Sequence, residues 1–250
     1  MYRKTILENG LRIITHPMKR MQSAALGIWI KVGGRYEAPE YKGIAHFLEH
    51  LLFKGSKKYS YRKIKESIEG VGGSLNGFTS EELTCYLAKL PYSHLGLALD
   101  VLSDMVINPL LHPEEIEKER TVIAEEIKMY KDLPQGYVHE LLDELLWPKQ
   151  PLGMSIIGTN ESINRINREE LSIFKKQYYV PSNIVISAAG LLDHNKLTNR
   201  IRNIFSSLKS KDVSPFLKVK EEHHHPQLKL LDKDTEQTHL ALGLHAIDRF

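Results

Sequence analysis

The chain has 250 residues, 42% hydrophobic and 26% charged, with 34 basic against 31 acidic side chains and a formal net charge of +3. That balance fits an ordinary globular protein with a sizeable core, and so small a basic excess gives no electrostatic footprint for nucleic acid. The single cysteine, Cys85, rules out an intrachain disulfide, and neither a long apolar span nor a leader-like N-terminus is present, so the expectation is a cytoplasmic chain with no membrane partner.

In chain order, RKTIL and LRIITHP flank Glu8-Asn9-Gly10 and predict a hairpin, because Asn-Gly tolerates the positive φ of a tight turn. AALGIWIKVGG, from Ala24 to Gly34, reads as a buried strand ended by glycines. A helix follows over GIAHFLEHLLFKGS, Gly43 to Ser56, and a second over SYRKIKESIEGVGG with Ser60 as N-cap and Gly70 past its end. SLNGFTSEELTCYLAKLP reads as two short strands around a polar turn. Helical patterns run from Tyr92 to Asn108 and from Pro113 to Lys131, where Pro113 suits a first turn. Another helix spans Gly136 to Leu146, before an irregular stretch around Gly153 and Gly158. NREELSIFKKQYY is a helix capped by Asn167, SNIVISAAG a strand, and Asp193 to Leu208 a last helix. Helices and strands mix without strict alternation, which predicts an α+β fold with helices on a largely antiparallel sheet.

Residues 209–228 are polar and proline-containing, as linkers are, and residues 229–250 begin two new strands that lack a partner. The expected organisation is therefore a domain over 1–208, a linker over 209–228, and the first strands of a second domain over 229–250.

The chemistry concentrates in His46-Phe47-Leu48-Glu49-His50. At about 100° per residue, His50 lies roughly 40° from His46 and Glu49 roughly 60° on the other side, while Ile44, Phe47, Leu48, Leu51 and Leu52 take the opposite face. Two imidazoles one turn apart can grip one metal ion, and a glutamate just before the second sits beside the metal, where a general base belongs. The same pattern also describes an amphipathic helix with a polar face. A zinc site needs a third ligand. In PEEIEKERTVIAEEIKMYKD, Glu119 and Glu126 are two turns apart and fall within the apolar arc of Ile116, Ile123 and Ile127, whereas Glu125 points away. Carboxylates on a buried face need a cation, which a metal, Arg120 or the lysines near Lys57 could supply. Cys85 reads as a small core residue, Trp29 and Trp147 as packing residues, and residues 223–225 as an exposed histidine tract. Arg35, Tyr36 and Glu37 precede the site helix and are candidates to line its cleft.

GIAHFLEHLLFKGS resembles the signature of the inverzincins, whose H-x-x-E-H order reverses the thermolysin-type motif. More narrowly it resembles the pitrilysin or insulinase metallopeptidases, including mitochondrial processing peptidase subunits and their bacterial relatives. The resemblance implies a zinc endopeptidase in which His46, His50 and Glu126 hold Zn2+, Glu49 is the general base, and Glu119 supports full activity. It also implies that GGSLNGFTSEELTCYLAKL carries an edge strand whose Asn76, Gly77, Phe78 and Thr79 hold an extended peptide or unfolded polypeptide. Family chains carry a second, degenerate copy of the domain; here that copy would begin near Lys229. A catalytically silent peptide-binding subunit is the alternative expectation.

Overall fold

The computed structural model describes residues 1–220, 225–234 and 236–247. Six strands make one sheet: β1 (Arg3–Ile6), β2 (Arg12–Pro17), β3 (Ser23–Ile30), β4 (Ser74–Thr79), β5 (Thr84–Pro91) and β6 (Ile184–Gly190). Their order is β1-β2-β6-β3-β5-β4, and every pairing is antiparallel except that of β2 with β6. The helices are α1 (Ile44–Leu52), α2 (Tyr61–Glu69), α3 (Leu95–Ile107), α4 (Pro113–Lys131), α5 (Pro134–Leu146), α6 (Asn160–Arg165), α7 (Arg168–Tyr178) and α8 (His194–Phe205). The fold is α+β, as the sequence predicts.

Local signals account for most boundaries. In the first turn only Gly10 takes a positive φ (83°), and its N–H donates to Leu7 O at 2.9 Å. The hairpin is thus a turn followed by a left-handed glycine rather than a two-residue turn. Ser60 caps α2 by accepting from Lys63 N, and Asn167 and Glu170 close a reciprocal box at the start of α7. Helix α6 lies in the stretch read from sequence as irregular; six residues are too few to show a helical period, and Thr159 with Ser162 caps it.

The sheet is one-sided. Leu26, Ile28, Ile30, Tyr86, Ala88 and Ile186 are buried beneath the helices. Their alternates Ile14, Ala25, Trp29, Leu87, Val185 and Ala189 are only half-buried. Period-two alternation therefore splits the strands into a core face and a largely uncovered face. Beyond α8 the described residues carry no helix or strand, and Leu228, Leu230, Leu240, Leu242 and Leu244 are mostly exposed. The strands expected after residue 229 are not formed there; an apolar strand needs a partner sheet. Of the histidine tract, His223 and His224 lie outside the described residues, as do Thr235 and residues 248–250.

One core contact gives a pH signature. Lys175 of α7 donates from Nζ to Ile107 O, at the end of α3, at 3.0 Å. Burial pushes its ammonium down to about 8. A lysine depressed on folding costs stability while both states are charged, and that cost fades as pH rises from the folded toward the unfolded value. Lys175→Met should therefore be more stable than the parent chain at pH 7, and the gap should shrink between pH 8 and about 10.5. Paired urea unfolding curves across that range test this; a gap independent of pH contradicts it.

Candidate metal centre

Helix α1 enters the core from a tight corner. Gly43, at its start, has φ of 94°, and a Cβ there would meet Ile157 O at 2.6 Å, so glycine is required twice over. No side chain of the N-cap satisfies the first amides. Glu37, buried at 4% exposure, does so from seven residues before the helix: its carboxylate accepts from Gly43 N at 2.9 Å and Ala45 N at 2.8 Å. Lys42 Nζ lies 3.4 Å from the same carboxylate and donates to Gly34 O and Pro151 O. Burial raises the Glu37 carboxyl, opposed by Lys42 and by the two amides. Glu37 is thus a helix cap rather than a cleft residue. Arg35 pairs with Glu82 at 2.6 Å and stacks over Phe216. Glu37→Ala would strand a buried ammonium and two amide donors, so a loss of about 3–5 kcal/mol is expected by chemical denaturation; a loss under about 1 kcal/mol would contradict this account.

Along α1, Phe47, Leu48, Leu51 and Leu52 are fully packed, and His46, Glu49 and His50 share the other side. That side is not a solvated face: His46 and Glu49 are each 8% exposed, facing a cleft of ≈ 410 Å³. Helix α4 packs across it and brings in Glu126. Glu126 Oε2 stands 3.7 Å from His46 Nε2 and 3.7 Å from His50 Nε2. One ligand atom from each of the three residues lies within 4.8 Å of the others, and the group could hold a metal ion. Ligand atoms around a tetrahedral zinc with bonds near 2.1 Å are about 3.4 Å apart, so the carboxylate at 3.7 Å stands within a few tenths of an ångström of that spacing from both imidazoles. Two imidazoles and a carboxylate are also a donor set zinc favours.

The electrostatics agree with that fit. Burial, with His50 alongside, pushes His46 down to about 3, which leaves it neutral and able to donate a lone pair. Its Nδ1 has no hydrogen-bond partner among the described residues. At His50 burial opposes charge, but the hydrogen bond to Glu119 and the nearby carboxylates outweigh it and raise the imidazole. Burial raises Glu126, only partly offset by His50. Two histidines beside a carboxylate make a donor group that a divalent ion can bind.

Glu119 and Glu126, both on the inner arc of α4, part company here. Glu119 Oε2 is 3.1 Å from His50 Nδ1 and Oε1 is 2.6 Å from Lys54 Nζ, so its charge is already answered. Arg120, the other cation considered from sequence, instead reaches Glu117 and the carbonyls of Ile163 and Ile166.

Edge strand β4 closes another side. Among the described residues β5 is its sole strand neighbour, so β4 is an edge of the sheet. Asn76 and Phe78 are exposed, whereas Gly77 and Thr79 turn toward α1. Thr79 Oγ1 donates to Glu49 Oε2 at 2.9 Å. A Cβ on Gly77 would meet Glu49 Oε1 at 2.8 Å and the Phe53 ring at 2.9 Å. Burial raises the Glu49 carboxyl, and the Thr79 hydroxyl pulls the other way. These contacts with Glu49 are not legible in the sequence, nor are the acidic residues Glu81, Glu140 and Asp143 that line the cleft. Only the even spacing of Gly77 and Thr79 hinted that they share a face.

Comparison with known proteins finds similar sequences and similar structures. The sequence model of the insulinase family, Peptidase family M16, matches residues 12–160, and that of the M16 inactive domain matches residues 165–249. A Bacillus subtilis protein named an uncharacterized zinc protease is 40% identical over 99% of this chain and 60% of its own length. A Streptomyces coelicolor protein of the same description is 37% identical over 99% of this chain and 55% of its own. The chain thus spans little more than half the length of such relatives. Among solved structures, a protease from Helicobacter pylori aligns with a TM-score of 0.82 at 26% identity, covering 88% of this chain and 54% of that one. The periplasmic protease PqqL from Escherichia coli shares the fold, with a TM-score of 0.80 at 23% identity over 89% of this chain and 26% of its own.

Proposed function

The chain belongs to the insulinase family of peptidases, and from that premise we propose that it carries the zinc half-site of an endopeptidase acting on extended peptides or unfolded polypeptides. The observation that carries the reading is the convergence of His46 Nε2, His50 Nε2 and Glu126 Oε2 beside a buried, separately held Glu49. Zinc, when bound, supplies Lewis acidity that activates water and polarises a carbonyl. Glu49 accepts a proton from the attacking water at its carboxylate; the water oxygen bonds to the carbonyl carbon, the C–N bond breaks, and Glu49 passes the proton to the leaving nitrogen. Its raised pKa suits both halves of that transfer. Thr79 and Gly77 keep its carboxylate in one place.

The free edge of β4 would add substrate as a further strand, with main-chain hydrogen bonds holding it and Asn76 and Phe78 exposed alongside. Such binding requires an extended chain and reads sequence only weakly. The domain assignment is part of the same reading: 1–208 as the metal-bearing domain, 209–228 as linker, and 229–250 as the first strands of a homologous half. The half-buried sheet face and the exposed leucines at alternate positions support it, since both await a covering partner. Among the described residues no helix is long and apolar enough to cross a membrane; a cytoplasmic, reducing setting remains the reading of Cys85, which is buried and unpaired.

A test uses an unfolded, labelled polypeptide with the zinc-loaded chain, alone and with the homologous half in trans. Zinc-dependent cleavage that stops on chelation is expected. Binding of the peptide without turnover in either setting would replace the proteolytic reading with that of a silent binding subunit. The family match over residues 165–249, to a domain described as inactive, keeps that second reading specific.

A further inference from the structure

Behind His50 the polar contacts extend past Glu119. Lys54 lies four residues after His50, one helical turn on, just beyond the end of α1. One carboxylate from α4 therefore meets two groups from the same stretch of chain: Oε2 faces His50 Nδ1 at 3.1 Å, and Oε1 faces Lys54 Nζ at 2.6 Å. Glu119 is 4% exposed, so a carboxylate oxygen without a partner there would be costly. With Lys54 in place both oxygens are satisfied and the carboxylate plane is fixed. That plane aims Oε2 at Nδ1, which defines Nδ1 as the protonated nitrogen and leaves Nε2 turned toward Glu126.

Lys54 is itself held. Its ammonium sits 5.0 Å from the Tyr61 ring centroid. The segment after it is pinned by a bridge between Gly55 and Ser60, another between Ser56 and Pro109, and donation from Lys58 N to Asp104 Oδ2 at 2.7 Å. The lysine thus rises from a fixed backbone into a fixed contact, so little ordering remains to be done when the metal arrives.

We propose that Lys54 is a positioning residue for the metal: it sets the Glu119 carboxylate, which in turn orients His50 for coordination. The inference rests on the reading that His46, His50 and Glu126 hold zinc, and it makes a prediction of unusual sign. A cation near a cation site repels, so by charge alone Lys54→Met should tighten zinc binding. Positioning predicts the reverse. Loss of an outer partner of a ligating histidine weakens metal binding by about 10–100-fold, and Lys54→Met should fall in that range.

The experiment is zinc affinity by chelator competition on the chain, with thermal unfolding of the zinc-free proteins alongside. Lys54→Met and Glu119→Gln are each expected to weaken zinc about tenfold or more, and the double variant no further than Glu119→Gln alone. Unchanged or tighter zinc in Lys54→Met overturns the inference, and so does an equal further loss in the Glu119→Gln background. If Lys54→Met does not fold, Lys54→Gln carries the same test with the same expected direction. Zinc absent from the parent chain would sink the metal reading itself, and this inference with it; zinc on the parent chain makes failure of the Lys54 prediction a separate result.

Discussion

Glu126→Ala is expected to take zinc from about one ion per chain after dialysis to a small fraction of that. The residue supplies the only carboxylate in the His46, His50 and Glu126 group, and its Oε2 is equidistant at 3.7 Å from both imidazole Nε2 atoms. Without it two imidazoles on one turn of α1 remain, which is too few for a closed tetrahedral site. The neighbouring residue is a natural control. Glu125 is exposed and pairs with Lys128 at 2.6 Å, so Glu125→Ala should hold zinc as the parent does. Because histidines at 223–225 could scavenge zinc, the comparison belongs in a chain with those three replaced. Metal analysis decides it. Retention of a full equivalent by Glu126→Ala would remove α4 from the metal site and leave the family resemblance without its chemistry in this chain.

Glu49→Gln should keep that zinc and lose hydrolysis by about 10³-fold, within the range for loss of a general acid–base group. The substitution is isosteric, and the amide oxygen can still accept from Thr79 Oγ1, so the packing against Gly77 and Phe53 survives. What disappears is the carboxylate proposed to receive the proton from water and return it to the leaving nitrogen. Single-turnover cleavage of an extended peptide, measured with zinc content on the same samples, separates the two effects. Cleavage at the parental rate would falsify the role given to Glu49. Loss of zinc together with activity would instead make Glu49 a structural element of the metal site.

The two variants divide the site as the helices do. His46, Glu49 and His50 come from one turn of α1, and Glu126 from a helix that crosses it. Any change that tilts α1 should disturb both properties together. The Glu37 cap matters for this reason: it fixes the first turn of the helix that carries three of the four residues.

Much of this was legible in the sequence because it depends on local periodicity. A 3.6-residue repeat sorts His46, Glu49 and His50 from Phe47, Leu48 and Leu51, and the same repeat places Glu119 and Glu126 inward and Glu125 outward on the later helix. Strand alternation, N-caps and the Asn9-Gly10 turn likewise act over a few residues, so the elements of the α+β fold could be read in order. Helix periodicity left Glu119 and Glu126 equivalent, however, and only family spacing separated them. Tertiary structure gave the physical difference: Glu119 meets Lys54 and His50 Nδ1, while Glu126 meets the two Nε2 atoms. It also decided that Glu37 caps α1 through its carboxylate, that Gly77 and Thr79 seat Glu49, and that the supposed polar face of α1 is buried in a cleft. These contacts join residues up to tens of positions apart, through the crossing of α1 by α4 and the register of β4 on β5. A periodic pattern fixes which way a side chain points on its own element; which partner stands opposite is set only when the elements pack.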